Sequence, residues 1–304
     1  MNILIVGGSG FLGQHLVQHF CRLKHQVTSI SRSPMASIAH NHRHFDITVD
    51  DTRGLQPLLS EQDFVFYLAW DTTPGSSKLQ PGLEIINNLT PFSRFLEIME
   101  SCHANLVFVS SGGAIYNSTE DTPFSENSST KPASFYGAAK LAAESFLEAY
   151  NHQTENSVVI LRPSNIYGPG QLIKKNFGII PTLFNCAKNG VDFQLWGSEN
   201  STRDYLYIED FKRLCGSIIS HDWQPKIFRC YNAGSGQDYS IAQLRKNIEL
   251  VSERRIQTVL QNPRGIDLDR AALDCERAKQ ELQWHSTTSL EEGLRHTWRW
   301  ICRL

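Results

Sequence analysis

The stretch Asn2-Ile3-Leu4-Ile5-Val6-Gly7-Gly8-Ser9-Gly10-Phe11-Leu12-Gly13 decides the fold. An unbroken apolar run that stops at glycine reads as a strand buried on both faces. The glycines that follow are spaced Gly-x-x-Gly-x-x-Gly, and each spacing has a physical use. Gly7 permits a tight turn, Gly10 lets backbone amides approach a pyrophosphate, and Gly13 lets the next helix pack closely on its strand. Leu12, Leu16, Val17 and Phe20 then recur at helical spacing. Strand, turn and helix therefore stand in the order of a dinucleotide cradle, with the helix N-terminus presented to the anion. A glycine triplet in an arbitrary loop is ordinary turn chemistry. The flanking strand and helix make this one a nucleotide site, with Gly7, Gly10, Phe11, Leu12 and Gly13 as its cofactor-binding residues.

Working outward, apolar runs recur at Val27–Ile30, the Phe45 segment, Phe64–Leu68, Leu106–Val109 and Val158–Leu161, with helical stretches between them. That alternation predicts an α/β protein with a Rossmann-type, doubly wound parallel sheet. Ile85, Leu89, Phe92, Leu96 and Met99 fall at helical spacing and predict a core-facing helix over 84–99. After Leu161 the texture changes to the Gly, Pro and Asn of Arg162-Pro163-Ser164-Asn165-Ile166-Tyr167-Gly168-Pro169-Gly170-Gln171. Residues 1–164 are read as the dinucleotide-binding domain and 165–304 mainly as a smaller α/β substrate lobe. Part of 206–235, including the strand-like run Ile227–Tyr231, returns to the first domain.

Composition narrows the partners. The 29 basic and 31 acidic residues are interspersed and nearly cancel, so the chain lacks the basic footprint that nucleic acid requires. A small molecule is the expected partner. Cys21, Cys102, Cys186, Cys215, Cys230, Cys275 and Cys302 are scattered, odd in number and never paired as Cys-x-x-Cys, which predicts reduced thiols and the cytoplasm. No segment approaches the run of about 20 apolar residues that a membrane span needs. His40, His42 and His44 alternate, but without a carboxylate or cysteine set at ligand spacing, so no metal site is expected. Leu294, Trp298 and Ile301 predict a packed terminal helix rather than a membrane-surface anchor.

The end of the second strand carries the cofactor choice. Enzymes that hold NAD usually place a carboxylate there for the adenosine ribose, whereas positive charge and hydroxyls suit the extra phosphate of NADP. The chain reads Ser31-Arg32. A guanidinium grips a phosphate through two hydrogen bonds and stacks on adenine, so NAD(P) is expected with a preference for NADP. Asp46 could accept from the adenine amino group or simply end the third strand, and Ile47 adjoins it.

Tyr136 and Lys140 lie four residues apart in a predicted helix, which stacks them on one face. An ammonium beside a phenol stabilises phenolate and lowers a tyrosine pKa from about 10 toward the working range. The pair alone is common and more often structural. Ser110-Ser111-Gly112-Gly113 changes that weighting, because it follows the fifth strand at the carboxyl edge where open α/β sheets bind ligands. A hydroxyl there can bond the same reacting oxygen, and the set reads as an alcohol/ketone redox site.

With these parts in view, the chain resembles an extended short-chain dehydrogenase/reductase of the nucleotide-sugar epimerase/dehydratase group, most similar to members like UDP-glucose 4-epimerase. Nearly the whole length takes part. The matching landmarks are the glycine turn, Leu68-Ala69, Asn88, Ser110-Ser111-Gly112-Gly113-Ala114-Ile115-Tyr116, Tyr136-Gly137-Ala138-Ala139-Lys140, the Arg162–Gly170 stretch, Leu195-Trp196-Gly197, Arg203-Asp204-Tyr205, Asn232-Ala233-Gly234 and Leu290-Glu291-Glu292-Gly293. The resemblance implies that Tyr136 exchanges the proton, Lys140 holds the nicotinamide ribose and tunes Tyr136, and Ser111 polarises the substrate oxygen. It adds Leu68 and Ala69 to the cofactor contacts and Asn88 as a supporting polar group. It assigns Asn165, Arg203 and Arg264 to the nucleotide diphosphate and Trp196 to the base. Three positions depart from the pattern. Gly112 stands where many relatives carry Ser or Thr, so the hydroxyl role passes to Ser111, with Ser110 as the alternative. Gly178-Ile179-Ile180-Pro181 lacks an asparagine found in many epimerases, and Ser31-Arg32 replaces an acidic ribose partner.

The function expected from this resemblance is nucleotide-sugar 4-epimerisation of UDP-glucose/galactose or an N-acetyl analogue through a transient 4-keto sugar. An NADPH-dependent reductase of a nucleotide-linked 4-keto sugar needs the same residues and is the near alternative. A dehydratase is disfavoured, since Gly113 and Ala114 stand where relatives carry an acidic pair. A non-catalytic dinucleotide-binding sensor on the same fold is the alternative from another class. Ala139, Ala142, Ala143 and Phe146 give the Tyr136 helix a small-residue face, and since relatives commonly pair through this helix, a homodimer is expected.

Overall fold

Burial turns the apolar runs into strands. The computed structural model describes residues 1–33, 41–47, 52–116, 123–173, 178–261 and 272–304. It divides into two units. The first comprises Met1–Ile115, Pro132–Arg162 and Cys215–Tyr231; the second comprises Tyr116–Lys131, Pro163–Leu214 and Asn232–Leu304.

In the first unit, β1 (Asn2–Val6) is followed by α1 (Phe11–Arg22), β2 (Gln26–Ser31), β3 (Asn41–His44), α2 (Gln56–Leu59) and β4 (Phe64–Tyr67). Next come α3 (Pro81–Glu84), a π-helical turn (Ile85–Leu89), α4 (Thr90–Met99), β5 (Asn105–Val109) and α5 (Gly112–Ile115). Then α6 (Phe135–Gln153) leads into β6 (Val158–Pro163). After α8 (Ile208–Ser220), β10 (Phe228–Ala233) joins the same sheet. The strand order is β10-β6-β5-β4-β1-β2-β3, and the ladders from β6 across to β3 are parallel. The order reverses at β1, so a crevice opens beyond its carboxyl end, where the glycine turn lies. This is the expected Rossmann-type doubly wound sheet.

The third strand departs from expectation. It is Asn41–His44, with Phe45 just past it, and its residues are polar because it lies at the sheet edge. His42 and His44 belong to it, while His40 lies outside the described residues. Beneath the sheet's carboxyl edge, Tyr67 on β4 meets Phe92 and Phe95 of α4 at 5.0 and 5.1 Å between ring centres, and Phe92 meets Phe108 of β5 at 5.1 Å. Burying side chains of this size stabilises by about 1.5–3 kcal/mol each, which ties the strand ends to the helices that carry the site.

In the second unit, β7 (Asn165–Tyr167) runs parallel to β9 (Thr202–Tyr207), and β11 (Asp238–Ser240) runs antiparallel to β9. A separate pair joins β8 (Phe193–Trp196) to β12 (Thr258–Gln261). The helices are α7 (Ile179–Asn189), α9 (Ile241–Ser252), α10 (Glu276–Leu282) and α11 (Leu290–Ile301). The C-terminal stripe packs inward: Leu294 and Ile301 are buried, and Trp298 stacks on Phe184 at 5.4 Å. Asp204 is fully buried, accepting from the Ser164 and Ser235 hydroxyls and from the amides of Ser235 and Gly236.

Candidate active site

The three glycines of the turn differ in what demands them. Gly7 has φ +92°, and a Cβ there would stand 2.9 Å from the Ala69 nitrogen. At Gly13 a Cβ would overlap the Gly7 carbonyl oxygen and lie 2.7 Å from backbone atoms of Gly8. The protein's own backbone therefore requires both. Gly10 is different. Its φ of −71° and ψ of 168° suit any residue, and a Cβ would meet only the Gly7 oxygen at 3.4 Å, an ordinary contact. No side chain caps α1 at this position. A bare helix N-terminus behind a glycine that the protein's own packing does not need fits a pyrophosphate lying against the turn.

The opposite half of the unit brings the catalytic candidates together. Ser134 caps α6, its hydroxyl accepting from the Gly137 amide at 3.1 Å. The helix presses on the backbone of α5 so closely that a Cβ at Gly137 would overlap the Ala114 carbonyl oxygen. That approach sets Tyr136 against the loop leaving β5, where the Ser111 hydroxyl acts on its phenol and opposes the upward push of burial. The neighbouring Ser110 Oγ is buried and has no partner. Of the two candidate hydroxyls, Ser111 is the one that reaches Tyr136. One turn along α6, Lys140 is buried and donates from Nζ to the Val109 carbonyl at 2.8 Å. Its ammonium lies 3.8 Å from the centre of the Trp70 ring, 4.8 Å from that of Phe108 and 5.9 Å from that of Tyr136.

Electrostatics here differ from the simple picture of lysine lowering tyrosine. Burial, then the charge of Glu84, push the Tyr136 phenol up from its ordinary value, and the Ser111 hydroxyl opposes them. Burial pulls Lys140 down to about 7 against the opposing charges of Glu84 and Glu144. The physical reason is desolvation: both groups stand among Trp70, Phe108 and backbone, where either charge is costly. The Lys140 ammonium turns to Val109 and the Trp70 face, so its charge is not focused on the phenol oxygen.

Asn88 lies in the π-helical turn and is buried. Its Oδ1 accepts from the Asp71 amide at 2.7 Å, and its Nδ2 donates to Thr72 Oγ1 at 2.9 Å and Glu84 Oε2 at 2.8 Å. Such turns interrupt the regular helix and re-aim a side chain, here into the core beside the site. Glu84 and Trp70 were missed by sequence reasoning. Their signals are faint: an acidic residue in a helix's first turn normally reads as a dipole partner, and Trp70 is one residue beyond the Leu68-Ala69 landmark.

At the end of β2, Ser31 is buried and its hydroxyl donates to the Ser33 carbonyl. Arg32 is engaged by Asp71 at 2.5 Å, with side-chain exposures of 52% and 30%. Asp71 also accepts from Asn87 at 3.1 Å. Any phosphate read by Arg32 must compete with a carboxylate already in place. Ile47 is buried in the hydrophobic core, while Asp46, Phe11, Leu12, Leu68 and Ala69 are half-buried.

The second unit places Asn165 and Arg203 at neighbouring strand ends, and Asn165 Nδ2 donates to the Asp204 carbonyl at 3.0 Å. Arg203 donates to the Thr202 carbonyl at 2.8 Å, and Trp196 closes β8 with its side chain exposed. Arg264 lies outside the described residues. Gly178 has φ +81°, and a Cβ there would meet the Pro181 ring at 2.9 Å, which accounts for glycine where many epimerases carry asparagine. Of the small-residue face expected on α6, Ala139 and Ala143 are buried within the first unit. Its outward side is instead Phe135, Ala138, Ala142 and Phe146, since burial claims the other stripe.

The chain is similar to known proteins over nearly its whole length. A profile of the NAD dependent epimerase/dehydratase family matches residues 3–234. The chain is 29% identical over 303 residues to the dTDP-4-dehydro-6-deoxyglucose reductase of Escherichia coli, covering 96% of this chain and 95% of that protein. Its fold superposes on the crystal structure of the Thermotoga maritima UDP-glucose 4-epimerase with UDP-glucose at a TM-score of 0.91, with 26% identity and coverage of 100% and 99%. MoeE5 in complex with UDP-glucose and NAD gives a TM-score of 0.91 at 25% identity, covering 100% of this chain and 99% of that one.

Proposed function

The chain belongs to the NAD dependent epimerase/dehydratase family, and from that membership we propose that it is a nucleotide-sugar 4-epimerase acting on UDP-glucose/galactose or an N-acetyl analogue. The observation that carries this reading is the Ser111 hydroxyl acting on the Tyr136 phenol with Lys140 one helical turn away, in the unit that holds the glycine turn. When bound, the dinucleotide supplies a hydride acceptor that returns what it takes. The chain does the rest. Tyr136 removes the proton from the C4 hydroxyl and later gives it back, Ser111 bonds the same oxygen, and Lys140 supplies positive charge beside them. Gly7, Gly10, Phe11, Leu12 and Gly13 hold the pyrophosphate, with Ser31, Arg32, Asp46, Ile47, Leu68 and Ala69 along the cofactor. We assign Asn165, Arg203, Arg264 and Trp196 of the second unit to the nucleoside diphosphate. Holding that part fixed lets the sugar turn over without escaping. Arg32 inclines the cofactor preference toward NADP, and the outward Phe135 and Phe146 of α6, both exposed, favour pairing with a second copy.

A specific observation supports a second reading. The Escherichia coli relative at 29% identity is a reductase of a nucleotide-linked 4-keto sugar, and the same three residues suffice for that reaction. One experiment separates the two. Purified protein is incubated with UDP-glucose or UDP-N-acetylglucosamine without added cofactor and assayed for the C4 epimer. Turnover supports the epimerase; a requirement for stoichiometric NADPH and a 4-keto sugar supports the reductase. Silence with every nucleotide sugar tried overturns both.

A further inference from the structure

Glu84 is only 2% exposed, at the end of a short helix that packs against α6. One carboxylate oxygen accepts from Asn88 at 2.8 Å. The other, Oε1, is buried and has no hydrogen-bond partner among the described residues. Burying a carboxylate with an oxygen left unpaired is unfavourable unless positive charge stands near enough to offset it. Two buried cations lie in this unit's α6 and β6 region, and one is already matched: Arg162 holds Glu144 through a short bidentate pair, with Nη2 2.6 Å from Oε2. The other is Lys140, 4% exposed, whose own hydrogen-bond partner is a neutral carbonyl. Glu84 and Lys140 are thus two buried charges, on elements that pack together, with no salt-bridge partner among the described residues.

We infer that Glu84 is a positioning residue of the proton-transfer site, its buried carboxylate favouring the ammonium form of Lys140 and fixing the Asn88 amide against the loop of Asp71 and Thr72. The inference rests on the reading of Tyr136 and Lys140 as the proton-transfer pair. The need for such a residue follows from the surroundings of Lys140. Burial against the indole of Trp70 and the ring of Phe108 favours neutral amine, and it draws Lys140 to about 7 even with both carboxylates opposing it. Without Glu84 the side chain would be uncharged at neutral pH. The charges that act on Lys140 are Glu84 from α3 and Glu144 from α6, and the charge that acts on Tyr136 is Glu84. From β6, Arg162 also reaches α6, where it is held by Glu144. The π-helical turn and α5 carry no ionisable side chain, and Arg94 and Glu97 of α4 are exposed. The same carboxylate adds to burial in raising the Tyr136 phenol. Glu84 therefore favours the protonated form of both partners in the free protein.

The test reads Lys140 directly. The full chain, labelled with 13C,15N-lysine and studied without substrate, is titrated while the Nζ chemical shift is followed, the Lys140 signal being the one that disappears in Lys140→Met. In Glu84→Gln the midpoint should fall by about one pH unit or more, the scale expected for a unit charge several ångströms away in a partly screened interior. Glu84→Asp, which keeps the charge, should restore most of it. An unchanged midpoint in folded Glu84→Gln protein overturns the inference. Loss of the folded state in both Glu84→Gln and Glu84→Leu would make the residue a structural tie and overturn it equally. Because the titration needs neither substrate nor turnover, its outcome is separate from that of the epimerase assay. In that assay the Glu84→Gln activity should decline with rising pH from a lower pH than wild type.

Discussion

Replacing Gly10 and Gly13 by alanine, one at a time, should separate the stability of the turn from its use as a phosphate cradle. At Gly13 the added methyl meets three backbone atoms, all inside van der Waals contact, and none belongs to a side chain that can swing away. Overpacking of this kind costs about 1–3 kcal/mol, and with only backbone to yield the upper end applies. For a chain of this size that is a fall in Tm of roughly 5 °C. At Gly10 the backbone is already extended and the nearest atom is an ordinary 3.4 Å away. Alanine there should leave the protein without cofactor unchanged or more stable by about 0.4–1 kcal/mol, through the lower entropy of the unfolded chain. Its cost should appear only on binding, because the methyl occupies the face on which the pyrophosphate must lie. Loss of about tenfold or more in NAD or NADP affinity, about 1.4 kcal/mol, is expected. Thermal unfolding with and without dinucleotide, alongside isothermal titration, gives both numbers. Gly10→Ala protein that binds dinucleotide as tightly as wild type, or that loses over about 1 kcal/mol without ligand, would refute the reasoning.

Tyr136→Phe should lower turnover by about 10²- to 10⁴-fold while leaving dinucleotide affinity nearly intact, as steady-state kinetics and titration would show; unchanged turnover removes Tyr136 from its assigned role. Arg32→Ala should weaken NADP far more than NAD, whereas Asp71→Asn, by freeing the guanidinium, should shift the ratio of dissociation constants toward NADP; equal effects on both cofactors would end the 2′-phosphate assignment. Lys140 gives a pH signature. Its folded pKa of about 7 lies below its ordinary value of 10.5, so between those values the unfolded chain holds a proton that the native protein has released. Stability relative to Lys140→Met should therefore rise with pH, by about 1.4 kcal/mol per unit above pH 7, and be flat below it. Denaturant unfolding at pH 6, 7, 8 and 9 tests this, and a difference that falls with pH contradicts the burial argument.

Much of the architecture was legible because it is written in consecutive residues. The run Ile3–Val6 before Gly7, and the period of Leu12, Leu16, Val17 and Phe20, report a strand, a turn and a helix whatever surrounds them. The four-residue spacing of Tyr136 and Lys140 places them on one face for the same reason. The edge strand Asn41–His44 ends just before the Phe45 segment expected to form it, since a polar edge strand carries no apolar signature.

By itself, then, the sequence determined the order of the elements, the cradle and the stacked phenol and amine. Tertiary structure alone decided the partners. The choice of Ser111 over Ser110 depends on how closely α6 approaches α5 at Gly137. Whether Arg32 stands free depends on Asp71, which arrives from the far end of β4. The standing of Glu84 as a buried charge rather than an ordinary first-turn carboxylate depends on α6 covering it. In each case residues remote in the chain set the dielectric and the hydrogen-bond geometry around a group. Those quantities belong to packing, and local periodicity holds no record of them.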